Sequence, residues 1–177
     1  RTGDEGDGAG AHGGRLTQTH RGPTSGIARR QMPSLPETLT NDSKKNQVVD
    51  DCCNVIDAEV SDKGGLSGLA IKGGYAAVKG IKPGFIRHVV ADLLPEFSAA
   101  LDPIFQEAKT KGVGVSAHFN ANASRVADAL LAITDGKAQR SKSGVVKGTY
   151  ERLRGTAKKN VEAAVPRLGK LVEKHTS

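Results

Sequence analysis

Apolar residues recur at helical spacing along most of this chain, and nowhere do they alternate with polar ones at period two over the length of a strand. The cap-forming run Thr40–Ser43 precedes a stripe of Val49, Cys52/Cys53, Ile56 and Val60, which Gly64-Gly65 end. A second segment, Leu66 to Lys82, is rich in small residues. Each glycine inside a helix costs about 0.5–1 kcal/mol relative to alanine, so their number needs a reason. Close approach of a neighbouring helix is the simplest, and it makes Gly68, Gly73, Gly74, Ala77 and Gly80 candidate helix-packing positions.

Pro83 opens a third segment with Phe85, Ile86, Val89, Val90 and Leu93. Pro95 is expected to break or kink it, and Phe97, Leu101, Ile104 and Ala108 continue its stripe. Asp102-Pro103 reads as an N-cap followed by a first-turn proline, which predicts a second kink or a restart. Gly112 and Gly114 form the next hinge. Val115, Phe119, Ala123, Val126, Leu130 and Ile133 then predict one helix that ends at Gly136.

The last segment is the most regular. Val146, Tyr150, Leu153, Ala157, Val161, Ala164, Leu168, Leu171 and His175 span 29 residues in eight steps, one apolar stripe at 3.6 residues per step. Pro166 should kink it by leaving the carbonyl of Glu162 without a partner. The pattern predicts an all-α fold: a compact bundle of five or six helices with a long, Pro-kinked, basic C-terminal helix.

Residues 1–31 are of another kind. They hold eight of the 22 glycines and show no apolar periodicity, so they are expected to be a disordered leader or tail ahead of a single helical domain at 32–177. The one methionine, Met32, stands where periodic sequence is about to begin, and it reads as the natural start. An ordinary flexible tail is the alternative. Arg29-Arg30 lacks the apolar run of an export signal, and Asp4, Glu5 and Asp7 do not suit a transit peptide. With adjacent Cys52 and Cys53 and no disulfide framework, a cytoplasmic location is expected.

Charge changes the picture more than composition does. Residues 137–177 carry 11 Lys and Arg against three Glu, whereas residues 32–136 carry ten against 13 Asp and Glu. The positive charge therefore belongs to the last helix and the loop before it. Arg140, Lys142, Lys147, Arg152, Arg154, Lys158 and Lys159 are candidates for binding a polyanion, either nucleic acid or an anionic membrane surface. The competing reading is that these cations solvate an outer face or meet the acidic half of the same domain. Base stacking has little support, because aromatics make up 3% of the chain, Trp is absent, and Tyr150 lies on the apolar stripe.

The segments LSGLAIKGGYAAVKGIKPGF (Leu66–Phe85), ADLLPEF (Ala91–Phe97), ALLAITDGKAQRS (Ala129–Ser141) and YERLRGTAKKNVEAAVPRLGKLVEKH (Tyr150–His175) together resemble a bacterial family of small helical proteins classed only as a domain of unknown function. The resemblance runs from about Leu35 to His175. It implies a single helical unit and brings no activity, cofactor or functional residue with it.

Chemical motifs are sparse. Gly112-Val-Gly-Val-Ser-Ala117 matches a loose dinucleotide fingerprint, but the charged helix end Gln106–Lys111 precedes it where a buried strand is required. Gly65-Leu-Ser-Gly-Leu69 lacks the last glycine of a nucleophile elbow. Cys52 and Cys53 point about 100° apart on a helix and do not converge on a metal, so they read as small core residues. His88 and Asp92, four apart, form either an acid–base pair or an exposed helix pair, and the latter needs no third group. His118 has Asn122 as its nearest telling neighbour. No catalytic residue, metal site or cofactor is expected. The sequence leads to a non-enzymatic helical interaction module that self-associates through the small-residue face; the alternative is an accessory polyanion binder.

Overall fold

The computed structural model describes residues 32–177, and the reading of 1–31 as a disordered leader lies outside the described residues. Among the described residues there are seven helices and no strand: α1 (Leu35–Leu39), α2 (Asp42–Asp62), α3 (Gly65–Lys79), α4 (Phe85–Lys111), α5 (Val115–Ala121), α6 (Ala123–Arg140) and α7 (Gly144–Thr176). The fold is all-α.

Local chemistry sets the helix ends. Ser34 and Glu37 form a capping box at α1: the Glu37 N–H donates to the Ser34 hydroxyl, and the Ser34 N–H donates to the Glu37 carboxylate at 2.9 Å. Asn41 caps α2 by accepting the Ser43 N–H at 3.0 Å. Gly112 ends α4 at φ 65°, a left-handed position that glycine adopts without a Cβ clash. The next N–H, of Val113, reaches back to the Ala108 carbonyl at 3.1 Å.

Three expected boundaries are displaced. α4 runs unbroken through Pro95 and Pro103, so Asp102 caps no restart. Its carboxylate instead accepts the Leu35 N–H at 2.7 Å, satisfying a free donor at the start of α1 67 residues earlier. α6 passes through Gly136 to Arg140, because the residues beyond are helix formers and Ala138 is buried. The helix expected from Val115 to Ile133 is divided at Asn122. There the side-chain amide donates to the His118 carbonyl at 2.9 Å, competing with the helical ladder. The division at Asn122 and the short α1, which the apolar pattern does not predict, bring the helices to seven.

α7 lies against α5 and α6 and also touches α1, α2 and α3. Its ion pairs give directions. Asp51 meets Lys174 and Glu59 meets Arg167, so α2 runs antiparallel to α7; Asp128 meets Lys158 and Asp135 meets Arg154, so α6 does too. The tightest packing gathers Leu35, Val48, Val49, Phe105, Phe119, Val126, Val165 and Val172, each at most 3% exposed. α7 contributes buried residues only from Val165 onward.

Glycines report where backbones come closest. A Cβ at Gly169 of α7 would stand 3.0 Å from the Ser116 Cα of α5, whereas one at Gly155 would meet nothing within 4 Å. Gly155→Ala is therefore expected to raise stability by about 0.5–1 kcal/mol through helix propensity alone. Gly169→Val should lower it by about 1–3 kcal/mol, because backbone must move. Urea unfolding of the two variants beside the parent measures both; equal signs would contradict this packing.

Candidate functional site

The apolar stripe of α7 is longer than the tightly packed part of the protein. Its first half, with Tyr150, Leu153, Ala157, Val161 and Ala164, is only half-buried because it faces a cavity rather than a filled core. The cavity has a volume of about 460 Å³. α2 supplies Val55, Ile56 and Val60 to its wall, α4 supplies Val90, Leu94 and Phe97, α6 supplies Leu130 and Leu131, and α3 adds Ile71. Along α7 the lining runs from Tyr150 to Val172, roughly 33 Å at 1.5 Å per residue. A volume of that size spread over that length is a narrow slot.

Composition explains why the space stays open. Phe105 and Phe119 are spent in the tight end, leaving Phe97 as the only phenylalanine in the slot wall. Ala157 and Ala164 place methyl groups where the helical period calls for bulk.

The few polar groups in the wall are turned away from the space. The Ser98 hydroxyl donates to the Leu94 carbonyl at 2.6 Å, and the Asn160 amide donates to the Thr156 carbonyl at 2.9 Å. Thr134 donates to the carbonyls of Leu130 and Leu131. Burial pushes the Cys52 thiol up to about 12, so it faces the slot as a neutral group. Among the described residues no buried side-chain nitrogen or oxygen lacks a hydrogen-bond partner. The wall therefore offers contact surface and no unmet polar demand.

Charged and hydroxyl groups stand where the slot's lining meets polar surroundings. Lys63 pairs with Glu59 at 3.4 Å, and Arg167 bridges Glu59 and Asp62. Further along α7, the Tyr150 hydroxyl donates to Asp135 at 2.7 Å, and Arg154 holds both oxygens of that carboxylate at 2.6 and 2.9 Å. The Tyr150 hydroxyl is raised above its ordinary pKa by burial.

The candidate polyanion residues fall into two groups. Arg154 and Lys158 are committed to Asp135 and Asp128, as the intramolecular reading of the charge asymmetry anticipates. The Arg140 Nε donates to the Gly136 carbonyl. Among the described residues no carboxylate lies within ion-pair distance of Lys142, Lys147, Arg152 or Lys159.

The helix-packing candidates divide as well. A Cβ at Gly74 would sit 2.8 Å from Thr149 and 3.1 Å from Leu153, so α7 crosses α3 there. At Gly68 it would strike the Lys63 backbone at 2.7 Å. Gly73 has open space around it, Gly80 meets only its own helix, and Ala77 is exposed.

The other motifs take ordinary places. Gly112–Ala117 joins two helices, and the His88 ring nitrogen lies 3.3 Å from the Asp92 carboxylate with both side chains more than 60% exposed. Cys52 and Cys53 are free and pack against the core. Sequence spacing missed two histidine contacts. The His118 Nε2 lies 3.3 Å from Glu107, and the His175 Nε2 lies 2.8 Å from Asp51, with both rings buried. Their partners stand 11 and 124 residues away, beyond any local pattern.

These contacts make stability depend on acid. Arg125, and after it His118, holds the Glu107 carboxyl down at about 2 from an ordinary 4.5. Lys174 then His175 lower Asp51, and Arg154 then Tyr150 lower Asp135. A carboxyl with a depressed folded-state pKa contributes stability above its unfolded value, and loses it as pH falls toward the folded one. The melting temperature is thus expected to fall between about pH 4.5 and about pH 2, and Glu107→Gln should flatten that slope while lowering the value at pH 7. A Glu107→Gln slope equal to the parent's would contradict the assignment.

No curated protein and no solved structure matches the chain. A model of a family of unknown function (DUF6918) matches residues 35–176, nearly the whole of the described fold. The chain belongs to that family.

Proposed function

We propose that this domain is a non-enzymatic binding module for a long apolar ligand, such as an acyl or isoprenoid chain, held in the slot between α2, α4, α6 and α7. The observation that carries the reading is the slot itself. It has about 460 Å³ of space walled by aliphatic side chains whose polar neighbours are already satisfied. Ligand sites in proteins fall at roughly 300–1,000 Å³ and are lined mostly by apolar groups. A filled slot removes from water the half-buried stripe of α7, and the gain scales with the apolar area covered. A cytoplasmic, reducing location agrees with two free thiols at Cys52 and Cys53.

The test fills the space from within. Ala157→Phe together with Ala164→Phe places two rings in the slot. The double variant is expected to melt higher than the parent. It should also bind a polarity-sensitive fluorescent fatty acid at least about tenfold more weakly, a change of about 1.4 kcal/mol. In the parent, unlabelled palmitate should displace that probe from a single site and raise the melting temperature. Probe binding that is unchanged by the two rings, or that palmitate does not displace, sinks the proposal.

A further inference from the structure

Helix α3 turns an apolar face outward as well as inward. Ile71 and Val78 lie half-buried on its inner side, and Ile71 reaches the slot. On the outer side Leu66 is 87% exposed and Leu69 67%. Ala70, Ala76 and Ala77 are exposed beside them and share their face by helical spacing. Ile81, just past the end of the helix, is exposed too. Two large side chains left in water on one helix face mark a contact surface rather than scattered exposure.

The charge around this face has one sign. From Gly64 to Gly84 the chain carries Lys72, Lys79 and Lys82 and no acidic residue. Lys72 and Lys79 stand seven residues apart and border the side of α3 nearer α2, where Lys79 approaches Asp57 at 3.7 Å. The opposite border comes from α7. Thr149, which meets α3 at Gly74, lies on one helical row with Arg152, Thr156 and Lys159. Arg152 and Lys159 are exposed on that row, and among the described residues neither they nor Lys72 and Lys82 have a carboxylate within ion-pair distance. An apolar strip thus runs between two cationic borders.

We propose that the outer face of α3 docks on an anionic lipid bilayer, with Leu66 and Leu69 entering the headgroup–acyl boundary and Lys72, Lys82, Arg152 and Lys159 meeting lipid phosphates. Apolar residues on one face with lysines along its margins are what an interfacial helix requires. The charge decides against a second copy of this chain as the occupant. Asp57 on the border is already held by Lys79 and Tyr75, so two such faces related by a two-fold axis set Lys72, Lys82, Arg152 and Lys159 against one another. The proposal stands independently of what the slot holds.

Flotation of the intact chain with vesicles tests it. The parent is expected to float with vesicles of phosphatidylglycerol and phosphatidylcholine in equal parts, to stay behind with phosphatidylcholine alone, and to be released by high salt. Leu66→Ser with Leu69→Ser should abolish flotation while leaving the helical circular dichroism and the melting temperature intact, since both side chains stand in solvent. Lys72→Gln and Arg152→Gln should each weaken binding by about fivefold at low salt. Three results overturn the proposal: no flotation with either vesicle, flotation unaffected by the two serines, or a dimer in light scattering that the two serines dissociate. The last assigns the face to a second copy instead.

Discussion

Along its 33 residues α7 offers one apolar stripe with cations beside it, and the acids of α2 and α6 answer those cations at Asp51, Glu59, Asp62, Asp128 and Asp135. The set lies at the surface, where water and salt screen each pair. Its value lies in register. With α2 and α6 pinned to opposite flanks of α7, the apolar stripe between them faces whatever the two helices leave uncovered. Over Val165–His175 the stripe holds the buried residues of α7, and α5 packs closely on it at Gly169. Over Tyr150–Ala164 the stripe is half-buried along the slot, whose lining continues to Leu168, Leu171 and Val172.

Long periodic segments were legible because a stripe repeated over many turns overrides individual residues. α7 is the clearest case, and its end residue His175 sits on the core side as its spacing requires. Boundaries were less legible because capping chemistry is blind to distance along the chain. Asp102 is a carboxylate that accepts a first-turn N–H, which is what an Asp before a proline suggests, but the helix it serves begins at Leu35. Gly136 carries a real propensity cost that the burial of Ala138 one half-turn later outweighs.

The charge asymmetry was legible, but only its intramolecular share could be assigned from structure. The acids that meet Arg154, Lys158 and Lys174 lie 19, 30 and 123 residues away in sequence. Nothing in spacing announces an unfilled volume either. The alanines at 157 and 164 and the scarcity of phenylalanine are its only traces in the sequence, and they are equally compatible with a close helix crossing of the kind seen at Gly74.

The uneven filling along α7 has a kinetic meaning. The Val165–His175 end holds the buried residues of the helix, with the α5 backbone against it at Gly169. The turns between Tyr150 and Ala164 rest on a wall with empty space behind it. Local opening costs least where apolar contacts are fewest. One helix therefore spans a rigid anchor and a compliant arm, and α3, crossing that arm at Gly74, rides on its softer half.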